Sequence, residues 1–402
     1  MCRGKKLKRI ISLSPTPPAN AFLNKNELKK KEPFFPLQVN FCQSCGQLQL
    51  THVVSPELLF RKYVYVSSTS PVFVAHFEEY AKDLIKRFKL NKKSFAIDIG
   101  SNDGILLKPL KKVGINVLGV DPAKEIAKKT TKAGIKTLPH FLNIKLAKSI
   151  IKRFGQADVV TANNAFAHIH NLDEIVNSVK ILTHKDAVFV IEFPYLIDFL
   201  QKNLFDTIYH EHLSYLSIRP LMAIFKRHAM EIFDIKKVSS HGGSLRVYAK
   251  KVGSKYKTKK SVQKFIDEEI KLGLNKPKTY LDFAKKIQEN KKKLTLLLKT
   301  LKSKGKIIVG YGAPAKGNTL LNYFRIGPKI LDYIVDDSVY KQGLYTPGTH
   351  ILVVPFEKIA ETKPDYIFIL AWNFAIPLMN KLSTFKKTGG RFIIPIPETE
   401  II

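Results

Sequence analysis

The chain has few cysteines and no long apolar run. Only three cysteines occur in 402 residues, which excludes a scaffold held together by disulfides and fits a reducing compartment. No stretch of 18 apolar residues is present, and the start, Met1-Cys-Arg-Gly-Lys-Lys, lacks the apolar segment of a signal peptide. We therefore expect a soluble cytoplasmic protein without membrane partners. Its 45% apolar content can fill two or three cores at this length.

Acidic residues are also scarce: 33 Asp and Glu stand against 67 Lys and Arg, for a net charge of +34. Such an excess of positive charge is typical of proteins that bind nucleic acid. The basic residues are mostly lysines, scattered except for short runs at Lys29–Lys31 and Lys291–Lys293. Base reading and bidentate phosphate binding favour arginine. The composition therefore argues against nucleic acid and favours a solvated lysine surface that can attract an anionic small substrate.

The most informative motif is an apolar strand that ends in a small, acidic turn, Phe95-Ala-Ile-Asp98-Ile-Gly100-Ser-Asn102-Asp103-Gly104. About twenty residues later a second strand ends in Asp121. Strand, glycine turn, helix, and a terminal carboxylate that can hold ribose hydroxyls make a nucleoside-binding half-fold. Carboxylates in the turn would repel a pyrophosphate but suit a cationic ligand such as S-adenosylmethionine. An ordinary buried strand and turn is the alternative.

Strand and helix patterns alternate along most of the chain, which predicts a parallel sheet with helices on both faces. A proline-rich segment without a large core precedes a predicted helix over 72–90. An antiparallel pair is predicted at the sheet edge, and a lysine-rich helical segment follows it. A second strand, glycine turn and helix begin at Lys306. The predicted divisions are 1–70, 71–252, 253–304 and 305–402.

Cys42 and Cys45 are three residues apart and can chelate one zinc ion in the small N-terminal lobe. A structural site wants four ligands. Cys2 is the remaining cysteine, and His52 is a candidate for the fourth position. Two core cysteines without a metal are the alternative.

The densest polar cluster is Tyr209-His210-Glu211-His212-Leu213-Ser214-Tyr215. Imidazoles, a carboxylate and phenols are the ingredients of proton transfer. A second cluster, Asn163, Asn164 and His168, follows a predicted strand at the edge where α/β sheets bind ligands. Asn164 and His168 would share a face if the segment is helical, while Asn163 could instead cap that helix.

A glycine turn, His241-Gly-Gly-Ser-Leu-Arg246, joins the two strands of the predicted edge pair. Its backbone amides, hydroxyl and guanidinium could contact a phosphate, and a plain hairpin is the alternative.

Together these motifs resemble the family of sugar C-methyltransferases that act on nucleotide-linked ketosugars. The resemblance covers nearly the whole chain and rests on Pro17–Phe22, the Cys42/Cys45 pair, Tyr63–Ser70, Gly100–Gly104, Asn163 with Asn164 and His168, Tyr209–Tyr215, His241–Arg246 and Gly310–Gly317. It implies an α/β protein in which a class I methyltransferase doubly wound sheet is flanked by a small zinc-binding lobe and a second Rossmann-like α/β domain. Cys2 matches the second cysteine of the family's first pair, which implies a structural zinc site with an incomplete set of ligands, Cys2, Cys42 and Cys45.

The resemblance also implies roles for the clustered residues. His212 would be the base that removes the proton next to a ketone, with Glu211 orienting or tuning it. Tyr209, Asn164 and His168 would position the sugar or stabilise the enolate. The S-adenosylmethionine pocket would be formed by Asp98, Gly100, Asn102, Asp103, Asn163 and, on the ribose, Asp121. The nucleotide-sugar substrate would contact Tyr63 or Tyr65, and Arg246. Lys316, in the Gly310–Gly317 turn, could contact its anionic end, and a role of this turn in packing alone is the alternative.

Three other functions stay open at this point. An S-adenosylmethionine enzyme could methylate oxygen or nitrogen of another small molecule. A basic zinc-containing RNA-binding protein could retain the fold, although the scarcity of arginine speaks against it. A nicotinamide-dependent sugar oxidoreductase could use the C-terminal unit. We expect a monomer.

Overall fold

The computed structural model describes residues 1–61 and 66–402. Its strands are β1 (Leu7–Thr16), β2 (Phe35–Cys42), β3 (Leu48–Leu50), β4 (Phe95–Ile99), β5 (Asn116–Val120), β6 (Thr137–Leu138), β7 (Ala157–Asn163), β8 (Thr183–Pro194), β9 (Ser214–Tyr215), β10 (Met230–Val238), β11 (Ser244–Lys251), β12 (Ile308–Tyr311), β13 (Ile334–Val335), β14 (Val353–Val354), β15 (Tyr366–Ile369), β16 (Arg391–Ile394) and β17 (Glu400–Ile401). Its α-helices are α1 (Pro56–Phe60), α2 (Pro71–Phe88), α3 (Leu107–Lys112), α4 (Lys124–Lys132), α5 (Ile144–Phe154), α6 (Leu172–Leu182), α7 (Leu196–Gln201), α8 (Ile218–Arg227), α9 (Lys260–Lys271), α10 (Pro277–Ser303), α11 (Ala315–Phe324), α12 (Lys358–Thr362), α13 (Ala375–Lys381) and α14 (Ser383–Lys387).

The central sheet has the strand order β10-β11-β8-β7-β4-β5-β6. The five strands from β8 to β6 pair in parallel, whereas β11 runs antiparallel to both of its neighbours. Every residue of β4 is buried, as expected for a parallel strand covered on both faces. The predicted doubly wound α/β sheet and its antiparallel edge pair are confirmed. The order of strands reverses between β4 and β7, which is where ligands bind in such sheets.

Helix α2 covers one face of this sheet. It begins with Pro71, whose fixed φ suits the first helical turn. It ends at Phe88, and the next residue, Lys89, adopts the left-handed conformation. Its buried side packs against the face that carries Ala96 and Val159. Side chains two residues apart on a strand share a face, so Asp98 also lies on the α2 side of the sheet.

The N-terminal lobe is a four-stranded sheet with the order β1-β2-β3-β9. Its residues Leu37, Val39 and Phe41 are buried in the main core of the molecule, so the lobe shares a core with the rest of the chain. β9 belongs to the sequence of the central unit and comes directly after the Tyr209–His212 stretch. The lobe sheet therefore anchors one end of that polar cluster.

The C-terminal unit is a second sheet, β14-β13-β12-β15-β16-β17, parallel except at β17. The predicted Rossmann-like α/β unit is confirmed. The connector consists of α9 and α10, and Asn290 of α10 donates a hydrogen bond to the Pro395 carbonyl at 2.9 Å. In the described part of the chain, no helix combines the length and apolar character needed to cross a bilayer.

Candidate active site

A row of polar side chains lies between the carboxyl ends of β4 and β7 and helix α2. Asp98 is 3% exposed, and its Oδ1 accepts hydrogen bonds from Thr161 Oγ1 at 2.6 Å and from Asn163 Nδ2 at 3.1 Å. Burial raises the pKa of Asp98 to about 7, because a charged carboxylate is poorly solvated there. No salt bridge to Asp98 occurs among the described residues, so this carboxylate is suited to a cationic ligand.

The turn after β4 is held in a conformation that favours glycine. Gly100 has a φ of +69°, and a Cβ atom at this position would lie 2.7 Å from the Cβ of Ala165. The backbone N–H of Asn102 donates to Asp121 Oδ2 at 2.8 Å, and Asp121 Oδ1 accepts from the N–H of Ala123 at 2.8 Å. Burial raises the pKa of Asp121. Asp121 therefore joins the turn to the end of β5.

The residues of this edge fit S-adenosylmethionine. The buried oxygens at this edge that have no hydrogen-bond partner among the residues that the structure describes include Asp103 Oδ1, Asn163 Oδ1 and Asn164 Oδ1. Buried acceptors without partners are costly, and an ammonium group or hydroxyls would satisfy them. The other oxygen of Asp103 accepts from Ser68 and, at 3.1 Å, from Lys108. The sulfonium and ammonium charges of S-adenosylmethionine match the carboxylate at Asp98.

The segment after β7 is not the helix that the sequence suggested. Asn164 has a φ of +51°, and only Phe166–His168 forms a short 3₁₀ turn. The prediction that Asn164 and His168 lie on one helical face is therefore wrong. The capping role for Asn163 is wrong too, because Asn163 ends β7 and its side chain bonds Asp98. No helix continues from β7 because Asn164, in the left-handed conformation, changes the direction of the chain at the end of the strand.

His212 is nevertheless brought to His168. The two rings lie 4.9 Å apart, and the ring of Tyr209 lies 4.0 Å from that of His212. His168 also stacks on Phe60 at 5.8 Å. Residues from two separate predicted clusters thus meet at one place near the carboxyl edge of the central sheet.

The orientation of the His212 ring is set by a backbone group. Its Nδ1 lies 2.8 Å from the carbonyl oxygen of Thr207. A carbonyl only accepts, so Nδ1 carries the hydrogen and the lone pair of the neutral ring is on Nε2. Sequence reasoning missed Thr207 because it acts through its backbone, which leaves no signal in the residue type.

Glu211 is buried and its Oε1 accepts a hydrogen bond from Asn20 Nδ2 at 2.6 Å. Asn20 belongs to the Pro17–Phe22 segment of the N-terminal lobe. Thr207 occupies the Nδ1 side of His212, and the hydrogen bond between Glu211 and Asn20 joins Glu211 to the lobe. Its predicted influence on His212 stays a prediction.

Arg246 is 3% exposed and faces two carboxylates. Its Nη2 lies 2.7 Å from Glu192 Oε2 and its Nη1 lies 3.5 Å from Asp83 Oδ2. Glu192, wholly buried at the end of β8, also contacts His76 Nε2 at 2.6 Å. A substrate phosphate would have to displace one of these carboxylates, and the predicted substrate contact of Arg246 stays a prediction.

Lys316 is the second residue of α11 and points toward the central unit. Its Nζ bonds Asn373 and lies 3.9 Å from the ring centre of Trp372. Burial lowers the pKa of Lys316 to about 8, against the opposing effect of Asp206. Lys316 therefore lies beside the turn that carries Thr207. The predicted substrate residues Tyr63 and Tyr65 lie outside the described residues.

The three cysteines come together at one end of the lobe. The Sγ atoms of Cys2, Cys42 and Cys45 lie within 4.8 Å of one another, and those of Cys2 and Cys42 are 3.6 Å apart. Zinc–sulfur bonds of about 2.3 Å in a tetrahedron put sulfurs about 3.8 Å apart, so the thiols fit one zinc ion. Burial raises the pKa of Cys45 to about 12, which a bound cation would reverse.

His52 is not the fourth ligand. Its ring stacks on Phe35 at 5.6 Å, at the opposite end of β2 from Cys42. Seven residues of extended strand separate the two ends by roughly 23 Å. Among the described residues, no further histidine, cysteine or carboxylate joins the three thiols.

Three family models match consecutive parts of the chain. They are described as "Putative zinc binding domain" (residues 1–60), "Methyltransferase domain" (73–232) and "C-methyltransferase C-terminal domain" (239–397). The chain is also 34% identical over 393 residues to C-methyltransferase NovU of Streptomyces niveus, covering 98% of this chain and 94% of that protein.

Two solved structures show weaker similarity. Magnesium protoporphyrin IX methyltransferase (ChlM) from Synechocystis PCC 6803 with bound SAM has a TM-score of 0.34 and 14% identity over 47% of this chain and 85% of that chain. A SAM-dependent methyltransferase from Archaeoglobus fulgidus has a TM-score of 0.35 and 18% identity over 45% and 98%. These scores are too low to carry an argument.

The matches to the lobe, the methyltransferase domain and the C-terminal domain follow one another in the order of the three sheets. The similarity to a curated relative extends over nearly the whole length of both chains. The chain belongs to the C-methyltransferase family and is an S-adenosylmethionine-dependent C-methyltransferase.

Proposed function

We propose that this enzyme methylates the carbon next to the ketone of a nucleotide-linked ketosugar, by way of an enolate. The observation that supports this best is the setting of His212. Its Nδ1 is held by the Thr207 carbonyl, and its ring meets Tyr209 and His168. An imidazole held in one tautomer, beside further donors, is suited to take a proton from carbon.

The reaction needs a base and a group that stabilises negative charge on oxygen. His212 Nε2 removes the proton next to the ketone, while the Thr207 carbonyl stabilises the imidazolium that forms. Tyr209, Asn164 and His168 position the sugar or donate to the enolate oxygen. S-adenosylmethionine, when bound, supplies an electrophilic methyl group on its sulfonium.

The cofactor pocket is proposed at the carboxyl edge of β4, β5 and β7. Its residues are those predicted from the sequence: Asp98, Gly100, Asn102, Asp103 and Asn163, with Asp121 toward the ribose. The buried carboxylate and the oxygens without partners support this assignment. The main contribution of this scaffold to methyl transfer is to align the methyl group with the carbon that receives it.

We assign the anionic end of the substrate to the face of the C-terminal unit around Lys316, with Arg246, Tyr63 and Tyr65 as further candidates. The three cysteines are proposed to hold a structural zinc ion. If they do, metal analysis of the purified protein finds about one zinc per chain, and the double substitution of Cys42 and Cys45 by serine lowers both the zinc content and the melting temperature. A melting temperature unchanged by these substitutions would remove the structural role.

Solvent exchange tests the enolate step apart from methyl transfer. The enzyme, with S-adenosylhomocysteine in place of the methyl donor, is incubated in D₂O with a panel of nucleoside diphosphate ketosugars. Deuterium enters the carbon next to the ketone, and His212→Ala reduces the exchange by about 10²- to 10⁴-fold. Affinity for S-adenosylhomocysteine, measured by calorimetry, is retained.

The matched control is His170→Ala, because His170 is an exposed histidine of the same region and has no assigned role. Methyl transfer to carbon without any exchange would overturn the enolate step. A fully active His212→Ala enzyme would overturn the assignment of the base.

A further inference from the structure

The turn that carries Thr207 contains a buried carboxylate. Asp206 is 0% exposed and lies in the 3₁₀ turn Phe205–Thr207, one residue before the carbonyl that holds His212. Its Oδ2 accepts a hydrogen bond from the indole N–H of Trp372 at 2.6 Å. Its Oδ1 is buried without a hydrogen-bond partner among the described residues. An aspartate this deeply enclosed is costly unless it is paired.

The groups that face Asp206 come from the C-terminal unit. Trp372 follows β15, and the ammonium group of Lys316 lies over its indole ring. Burial raises the pKa of Asp206 to about 6, and Lys316 and Trp372 both oppose that rise. The position of this carboxylate in the central unit therefore depends on contacts across the boundary between the two units.

The displacement of Asp206 would move the neighbouring carbonyl. Thr207 is joined to Asp206 by a peptide bond, and its carbonyl is the acceptor for His212 Nδ1. A one-residue separation inside a turn leaves little freedom between the two groups. Loss of the Trp372 contact would thus be transmitted to the orientation and tautomer of the His212 ring.

A second contact path reaches the same cluster through the lobe. Asn318 of α11 donates to the carbonyl oxygen of Ala19 at 2.7 Å, and the next residue, Asn20, bonds Glu211. The segment from Asp206 to Glu211 is therefore held from two sides, directly and through the lobe, by the C-terminal unit.

We infer that the C-terminal unit positions the catalytic base: the Trp372–Asp206 hydrogen bond fixes the Thr207 carbonyl and so holds His212 with its hydrogen on Nδ1. This inference rests on the proposed role of His212. Trp372 and Asp206 are positioning residues that act through Thr207, and they are assigned no contact with the substrate.

The first test requires no substrate. Nitrogen-15 NMR of the full chain labelled at histidine, saturated with S-adenosylhomocysteine, reports the His212 tautomer, and a His212→Asn spectrum assigns its signals. The wild type shows hydrogen on Nδ1. Trp372→Phe, which removes the indole N–H, and Asp206→Leu both lose this single tautomer. Asp206→Asn keeps it, since its amide oxygen still accepts from the indole.

Kinetics form the second test. Trp372→Phe and Asp206→Leu lower kcat by about 10- to 100-fold, the scale of a misplaced catalytic group, with little change in KM for S-adenosylmethionine. Asp206→Asn restores most of the activity. The double variant is no worse than the poorer single variant, because both changes break the same contact.

The control for unit docking is His350→Asn, which removes the exposed contact between His350 Nε2 and Glu32 at 2.9 Å without touching the turn. It keeps the wild-type tautomer and kcat. A Trp372→Phe or Asp206→Leu spectrum with the wild-type His212 signals would overturn the inference, whatever the kinetics. If His212→Ala exchanges substrate protons normally, the assignment of His212 as the base fails, while the NMR result still decides whether Trp372 orients the ring.

Discussion

The central sheet and the C-terminal sheet share the same turn yet differ at its edge. In both, a glycine with positive φ follows the first strand, at +69° for Gly100 and +84° for Gly312, and a Cβ there would lie 2.7 Å or 2.6 Å from an alanine Cβ. In both, an aspartate after the second strand accepts the N–H of the turn, Asp121 from Asn102 and Asp336 from Ala313 at 2.6 Å. The backbone design is therefore common to the two units.

The residue two positions before each glycine is different. The central sheet has Asp98, whereas the C-terminal sheet has Gly310, whose Cβ would lie 2.8 Å from the side chain of Ile334. The polar groups nearby also pair with one another: Tyr311 donates to Asp337, which is bound by Lys381 at 2.9 Å. The turn is common to the two folds, and we propose that the buried carboxylate beside it in the central sheet binds the cationic cofactor.

Asp98→Asn should have the largest effect. The substitution keeps the shape of the side chain but removes the charge that is proposed to face the cofactor. Hydrogen bonds to charged groups contribute about 1.5–3 kcal/mol, so the affinity for S-adenosylmethionine should fall by about 10- to 100-fold in a calorimetric titration. An unchanged affinity would mean that the carboxylate of Asp98, which the C-terminal sheet lacks, does not bind the cofactor.

Cofactor affinity should also depend on pH through Asp98. Its pKa is about 7 instead of 3.8, so the carboxyl is protonated at lower pH and the affinity falls by about tenfold per unit below pH 7. In the unbound protein the folded state holds this proton more tightly than the unfolded state, so the group lowers the stability as pH rises from about 4 to 7. A pH series of titrations on wild type and Asp98→Asn measures this, and a flat wild-type profile would contradict it.

Gly100→Ala and Gly312→Ala should destabilise the protein alike, by about 1–3 kcal/mol each, because both place a Cβ at positive φ and against an alanine. Denaturant unfolding measures the stability. Only Gly100→Ala should weaken cofactor binding. If both variants lost the same affinity for S-adenosylmethionine, the proposal that the cofactor binds at the Gly100 turn would be contradicted.

Asp121→Asn and Asp336→Asn form the smallest contrast. Each replaces one carboxylate oxygen that accepts a backbone N–H with an amide group, at a cost of about 1 kcal/mol in stability. Asp121→Asn should in addition weaken cofactor binding about tenfold through the ribose, while Asp336→Asn leaves it unchanged. The opposite ranking would move the nucleoside to the C-terminal unit.

Most of the fold followed from local pattern. The predicted helix over 72–90 matches α2, and the strands before Gly100 and Gly312 were found because apolar runs ending in glycine turns are informative by themselves. The four-stranded lobe sheet was not predicted, since β9, which completes it, lies more than 160 residues further along the chain. The prediction that Asn164 and His168 share a helical face was wrong, because the spacing of residue types does not reveal that Asn164 adopts a left-handed conformation.

By itself the sequence determined which side chains can bind a cation, accept a proton or bind a metal: the carboxylate of Asp98, the imidazole of His212 and the three thiols. Only the tertiary structure decided which backbone groups hold them, since Thr207 acts through its carbonyl and any residue could supply that oxygen. It also decided that Trp372 lies against Asp206, 166 residues apart, and that His52 lies away from the thiols. Local propensity follows from neighbours in sequence, whereas these contacts depend on how separate sheets pack, which no short window of residues contains.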